Sequence, residues 1–581
     1  MWIEVLRSLN FKGLEVNNMF DNILSYVRIA LYAALAGVVF FLYQAWQKEH
    51  PPVVATSAAF TQAETIPVGH APTNQPLPQP SAAIQAEATA VAKTVPQTGQ
   101  LISVKTDLLD IQIDTRGGDI VQAKLLQYPE SLGSSAPFLL LNDDPKTRYI
   151  AESGLLSKQG PDTAAEQASY TATQTAYALI PGQQSLTVDL TWKKDGVTVI
   201  KTFTFNRQSY EVNVGYVVDN QSNKPWEGQL YTQLLRKDVP QPSNGGVVNL
   251  TTYFGAAISS SQKPFDKITF KQMQEKNLNQ VSANGWAAMI QHYFVSAWIP
   301  PKATQSNYYS RVNEDGLFTI GMIGPQLVAA PGTKVVTDAK LYAGPAIASL
   351  LEKAAPGLKL TIDYGWFWFI SDIIFWMMQH IYDVVGNWGW SIVLVTVVIK
   401  LLFFQLSAKS FRSMSAMKKL QPKIEALRER YKDNKQQLTQ ATLDLYRQAK
   451  VNPMSGCLPI LIQIPVFIAL YWVLVESVQL RQAPFILWIH DLSQQDPYYI
   501  LPLLMGISMF IQQKLNPPPA DPMQAKVMML MPVVFTVLFA NFPAGLMLYW
   551  FVNNTLSVLQ QWFIMNRLEI NLDTNGKKSS K

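Results

Sequence analysis

The chain has 581 residues, 48% of them hydrophobic, and a formal net charge of +6. A single cysteine, Cys457, excludes an internal disulfide framework and reads as a small apolar packing residue; no Gly-Lys-Ser/Thr loop of the Walker type is present to drive a nucleotide-dependent machine. The apolar residues are unevenly spread, which predicts a membrane-embedded body carrying one large water-soluble domain.

Residues 1–25 are mixed in character, with Met19 as an alternative start, and lead into an apolar segment at 26–43. Its length exceeds the core of a signal peptide, so an uncleaved transmembrane anchor is expected. Residues 44–100 are rich in Pro, Ala, Thr and Gln and lack hydrophobic periodicity, the composition of a disordered tether. From 101 to 345 the pattern alternates with period two, as in Leu186–Trp192, Val199–Phe205 and Tyr210–Tyr216. Turn residues such as Lys194-Asp195-Gly196 separate the runs, and many short alternating strands predict an all-β sandwich. No metal cluster or nucleophile motif stands out there, so a scaffold or docking surface is the expectation.

The segment 346–385 changes character. Ile347–Lys353 predicts a short helix, and Trp366–Trp376 is apolar and aromatic, with Asp372, His380 and Asp383 interrupting the stretch. Amphipathic helices lying in the membrane interface are expected, with a sixth full span as the rival reading. Spans are then predicted at 386–407, 454–475 and 498–512, and two short ones within 527–564 around a turn at 542–545. Val527–Asn541 would cover only about 22 Å of a hydrocarbon core of about 30 Å. Spans this short thin the bilayer or draw polar groups inward.

The stretch 408–453 carries Lys409, Arg412, Lys418, Lys419, Lys423, Arg428 and Arg430 among its many basic residues, against only Glu425, Glu429, Asp433 and Asp444. The positive-inside rule makes it cytoplasmic. Alternation then puts the N-terminus, 513–526 and the basic tail 565–581 inside, and 44–385 and 476–497 outside. Apolar residues recurring at three and four (Met417, Leu420, Ile424, Leu427) predict a helical hairpin that turns near Asp433-Asn434-Lys435. Its basic face suits lipid phosphates or an acidic partner such as ribosomal RNA.

Lys400 stands apart, inside the apolar run Trp390–Phe404. A lysine near the centre of a span costs about 2.5–3.5 kcal/mol and normally faces a wet cavity or a partner. The other predicted spans offer no acid to neutralise it. Either it snorkels toward the cytoplasmic boundary near Lys409 and Arg412, or it faces a cavity open to an anionic ligand.

Several ordered motifs carry a resemblance. Gly285–Pro300, Asn452-Pro453-Met454-Ser455-Gly456-Cys457-Leu458-Pro459, Gln463-Ile464-Pro465, Leu480–Phe485 with Trp488–Leu492, and Phe542-Pro543-Ala544-Gly545 are similar to those of the YidC/Oxa1/Alb3 family, in its Gram-negative form. The similarity runs from about residue 20 to 570. It implies an N-terminal anchor, a periplasmic β-sandwich and a five-helix core in the bacterial inner membrane. It also implies a hydrophilic groove, open to the cytoplasm and to lipid, that holds one basic residue, usually Arg. Lys400 occupies that position and lacks the bidentate fork of Arg. Gln405 and Trp550 stand where relatives often have Pro and Tyr.

The expected function is therefore a membrane protein insertase and chaperone, without enzymatic chemistry or a cofactor. Nascent membrane proteins would be its clients, and Sec translocon subunits, the ribosome and membrane lipids its partners. Lys400, Thr396, Gln463, Gln512 and Trp550 are the expected groove residues, with Asn553 and Gln560 as further candidates. A secondary transporter or channel is the alternative; it predicts internal repeats or intramembrane ion pairs, and the sequence has neither. An enzyme acting on lipid or cell-wall precursors is disfavoured, because His292, His380 and His490 have neither metal-ligand nor triad spacing.

Overall fold

The computed structural model describes residues 99–578 apart from 164–165, 240–251, 303, 432–433, 453–457 and 517–521. The expected anchor at 26–43, nearly all of the tether, and Cys457 lie outside the described residues.

Strands fill the interval from Leu101 to Pro345, where a sandwich is expected. They form a ten-stranded and a nine-stranded sheet among the described residues. Period two explains the packing: along Glu211–Asn220, Val212, Val214, Tyr216 and Val218 are buried while the residues between them are only half-buried. In that sheet Val214 lies opposite Phe203 on one side and Ala339 on the other. In the second sheet Leu234 lies between Ile320 and Ala151. The core between the inner faces holds Trp226, Trp286, Trp298, Phe203 and Phe205. A short helix, α1 (Phe270–Glu275), interrupts the strands and starts on a capping box made by Thr269 and Gln272.

One inward position breaks the apolar pattern. Val197, Val199, Phe203 and Phe205 face the core from Val197–Asn206, and Lys201 shares their face, fully buried. Its ammonium donates to Gly117 O at 3.0 Å and to Ser153 O at 2.7 Å. Burial pushes its pKa down to about 8, against the attraction of Asp119, Asp162 and Glu152. Burial likewise pushes Asp162 up to about 6, although it accepts the N–H groups of Ala168 and Leu155, each at 2.9 Å. Gly118, with φ +64°, approaches so closely that a Cβ there would lie 2.9 Å from Lys201 Cδ.

The sandwich is bonded to the helical half of the chain. Arg481 donates to Pro129 O at 2.8 Å and Glu130 O at 2.9 Å, and its guanidinium lies over Phe138 and Phe294. His292 Nε2 lies 2.8 Å from Val475 O, so that nitrogen carries the hydrogen. Burial pushes its pKa down to about 4, which keeps the ring neutral at neutral pH. Trp286 Nε1 donates to Pro356 O at 3.2 Å, and Lys267 pairs with Asp363.

After α2 (Ala348–Ala354), α3 (Trp368–Val385) exposes Trp368, Phe369, Ile373 and Trp376 and buries Ser371, Ile374 and Met378. This is the two-faced helix expected within 346–385. The interval 386–407, expected as one span, is not one helix. α4 (Trp388–Leu402) and α5 (Phe404–Lys419) meet at a 67° bend. No Gly or Pro marks the break, where Phe403 has φ −91° and ψ 8°. The 408–453 region also differs from a two-helix hairpin: α5 extends into it, followed by α6 (Gln421–Arg430) and α7 (Lys435–Gln448). Pro422 sits in the first turn of α6, where its missing N–H is harmless, so the helix restarts there.

Next come α8 (Leu458–Glu476), α9 (Ile500–Leu515), α10 (Pro522–Phe539) and α11 (Ala544–Lys578). α11 passes the expected boundary at 564 without a break, so the tail is helical to Lys578. Among the described residues no single helix is long and apolar enough to cross a membrane; only the bent α4–α5 pair passes that test jointly. α8 (19 residues), α9 (16 residues) and α10 (18 residues) cover about 28, 24 and 27 Å. Their shared core includes Ile392, Leu470, Leu474, Met505 and Met547.

Candidate functional site

A partly open cavity of about 40 Å³ lies between α4, α5, α8 and α11. Ile399 and Lys400 line it from α4, Phe403 from the bend, and Leu406 and Ser407 from α5. Ile462, Gln463 and Val466 come from α8, and Asn553 from α11.

The polar wall is built by helical periodicity. Asn553, Ser557 and Gln561 recur every four residues on α11, so they stack on one face, and all three are buried, as is Asn554 beside them. Asn554 Nδ2 donates to Ser508 Oγ of α9 at 3.1 Å, and Gln561 Nε2 to Leu515 O at 3.4 Å. Gln560 Nε2 reaches Phe404 O, just past the bend, at 3.4 Å. Ser557 Oγ donates to Asn553 O at 2.7 Å.

Lys400 is half-buried, and its Nζ donates to Ser557 Oγ at 2.7 Å. No carboxylate pairs with it among the described residues. The side chain therefore has a neutral protein acceptor and, among the described residues, no countercharge. The arrangement can hold an anionic group against a cation in a cavity lined mostly by apolar side chains, and among the described residues there is no metal-binding cluster.

The other expected groove residues separate. Gln463 lines the cavity and makes a long contact with Tyr549 OH, 3.5 Å. Thr396 is buried one turn before Lys400, and its hydroxyl donates to Ile392 O of its own helix at 2.7 Å. Gln512 is half-buried on α9 and does not line the cavity. Trp550 instead joins an aromatic cluster, 4.6 Å from Phe467 and 4.9 Å from Phe539 between ring centroids, which ties α8, α10 and α11 together. Of the two further candidates, Asn553 is in the wall, while Gln560 binds the backbone at the bend. Sequence reasoning missed Ser407 and Ser557. For Ser557 the available sign was its four-residue spacing from Asn553 and Gln561.

A large β-sandwich is bonded to a body of apolar helices in which Lys400 lines a mostly apolar cavity, the architecture of a two-part protein with a sizeable β domain and a helical core. Comparison with known proteins makes the class specific. Residues 101–377 match the YidC periplasmic domain, and residues 380–571 match the 60Kd inner membrane protein family. A membrane protein insertase YidC from Pseudomonas fluorescens is 45% identical over 557 residues, spanning 93% of this chain and 98% of that one. One from Pseudomonas aeruginosa is 45% identical over 568 residues, with the same coverage. Among solved structures, an active YidC insertase with its first transmembrane domain resolved covers 82% of this chain and 97% of its own, at 21% identity and a TM-score of 0.37. The chain belongs to the YidC family of membrane protein insertases, an inner-membrane family and not a class of enzymes. Its sandwich is the periplasmic domain of that family.

Proposed function

We propose that this chain inserts integral membrane proteins by receiving the acidic flank of a client in the cavity beside Lys400. The physical obstacle to insertion is moving polar flanks through hydrocarbon. A carboxylate about 6 Å from Nζ gains about 3 kcal/mol at an effective dielectric near 20, comparable to the cost of placing one Asp in a span. The observation that carries the reading is the Lys400 ammonium itself: it lines the cavity, bonded to a neutral hydroxyl and not to a carboxylate. The 16-residue α9, about 24 Å long, would thin the surrounding bilayer and shorten the polar crossing. The client's apolar helix would leave along α8 and α10 into lipid, driven by its own burial.

The wider arrangement follows from the same reading. The N-terminus, the α6–α7 region and the end of α11 lie in the cytoplasm, where basic residues such as Lys418, Lys419 and Lys423 meet lipid phosphates and ribosomal RNA. The exposed aromatic face of α3 rests in the outer interface. The periplasmic sandwich offers the surface for Sec translocon subunits.

The test replaces Lys400 with Arg, Gln and Glu in the full chain and measures insertion of a single-span client with an acidic external tail. Arg is expected to retain insertion. Gln should lower it about tenfold to a hundredfold, and Glu further. Equal insertion by all three variants would refute the charge reading.

A further inference from the structure

We propose that Ser557 is a positioning residue for Lys400: a neutral acceptor on α11 that holds the ammonium at the cavity without cancelling its charge. The inference rests on the reading of Lys400 given above. Ser557 is 4% exposed, and its own proton is committed to Asn553 O at 2.7 Å. The oxygen lone pairs are what remain, and Lys400 Nζ donates to them at 2.7 Å. One of the three ammonium hydrogens is used in this way, and two stay available to a client. Lysine needs such a hold more than arginine does, because its point charge sits on a flexible four-carbon stem that otherwise swings toward a polar boundary. A carboxylate in the same place would hold the ammonium harder and abolish its attraction for a client.

The acceptor is itself fixed. Asn554, beside the polar face, bonds Ser508 of α9, and Gln561, one turn beyond Ser557, bonds Leu515 O. These contacts set the rotation of α11 about its axis and so present Ser557 to α4. Ser557 touches no client in this account and acts only through Lys400.

The experiment compares two single-span clients that differ only in an acidic or a neutral external tail, inserted by the full chain in reconstituted vesicles. The readout is the ratio of acidic-tail to neutral-tail insertion, which a general folding defect would leave unchanged. Ser557→Ala should lower the ratio about tenfold, the usual scale for losing a hydrogen bond to a charged group. Ser557→Thr keeps a hydroxyl able to bond the same carbonyl and should restore the ratio to within about twofold. Ser557→Asp should lower it at least as far as Lys400→Gln. The Lys400→Gln/Ser557→Ala double variant should match Lys400→Gln alone, because a residue that works through the ammonium has nothing to do without it. A normal ratio in Ser557→Ala beside a collapsed ratio in Lys400→Gln would overturn the positioning role alone, as would an added loss in the double variant. A normal ratio in Lys400→Gln would overturn the charge reading and this inference together.

Discussion

Replacing Lys201 with methionine tests whether the buried charge in the sandwich is structural. Methionine keeps most of the length and the apolar stem, so little packing changes. What disappears is a fully buried ammonium that donates to Gly117 O and Ser153 O and faces Asp119, Asp162 and Glu152. Two backbone carbonyls lose their donor, and the surrounding carboxylates lose their countercharge. Removing one partner from a buried charged cluster costs about 3–5 kcal/mol. Hydrogen exchange in the full chain at pH 7 gives a local measurement. Amides along Val197–Asn206 and Tyr149–Leu156 should exchange at least a hundredfold faster in the variant. Amides of α8 and α9 should keep their rates. An acceleration below about threefold along both strands would show that the cluster contributes nothing net, and the argument from burial would fail.

Asp162 predicts a pH dependence. Its folded pKa of about 6 lies above the ordinary 3.8, so its contribution to stability is full below 3.8 and is lost as pH rises through 6, about 3 kcal/mol in all. Exchange at the Leu155 and Ala168 amides, corrected for intrinsic rate, should accelerate over that window, and Asp162→Asn should remove this group's share; an unchanged profile in the variant would count against it. Arg481→Ala should loosen the joint between sandwich and helices by about 2–3 kcal/mol through loss of two charge-assisted bonds. Exchange should rise at residues 129–138 and 478–484 and stay constant at Val212–Val218; unaltered exchange at both edges of the joint would contradict it.

The sandwich was legible because one face of each strand is buried, which leaves a period-two trace along Glu211–Asn220 and its neighbours. Lys201 lies in the inward register of Val199 and Phe203, so the alternation marks it as buried, and what hides it is the habit of reading a charged residue as outward whatever its register. The helix boundaries were less legible. Nothing in Leu401-Leu402-Phe403-Phe404 announces a 67° bend, because the turn is imposed by neighbouring helices and not by Gly or Pro. At the cavity, Lys400 was visible because charge in an apolar run is costly, and Gln463 because the residues around it, Leu458–Val466, are otherwise apolar. Gln512 and Trp550 point to the limit of that logic. Polarity or an aromatic ring in a short helix does not say which way the residue faces, and rotation about the helix axis is decided by tertiary contacts such as Asn554 with Ser508. Ser557 was missed for a related reason: a serine bonded to its own helix looks inert until its second partner is seen.

The joint between the two halves is chemically lopsided. Arg481, His292 and Trp286 supply side-chain donors, whereas Pro129, Glu130, Val475 and Pro356 answer with main-chain oxygens. Evolutionary drift at the four accepting positions can change any side chain and still leave an oxygen in place. Drift at the three donors removes the bond outright. Each half carries both kinds of position, so each drifts freely only where it accepts, and the fastening lasts as long as those three donors and the Lys267–Asp363 pair endure.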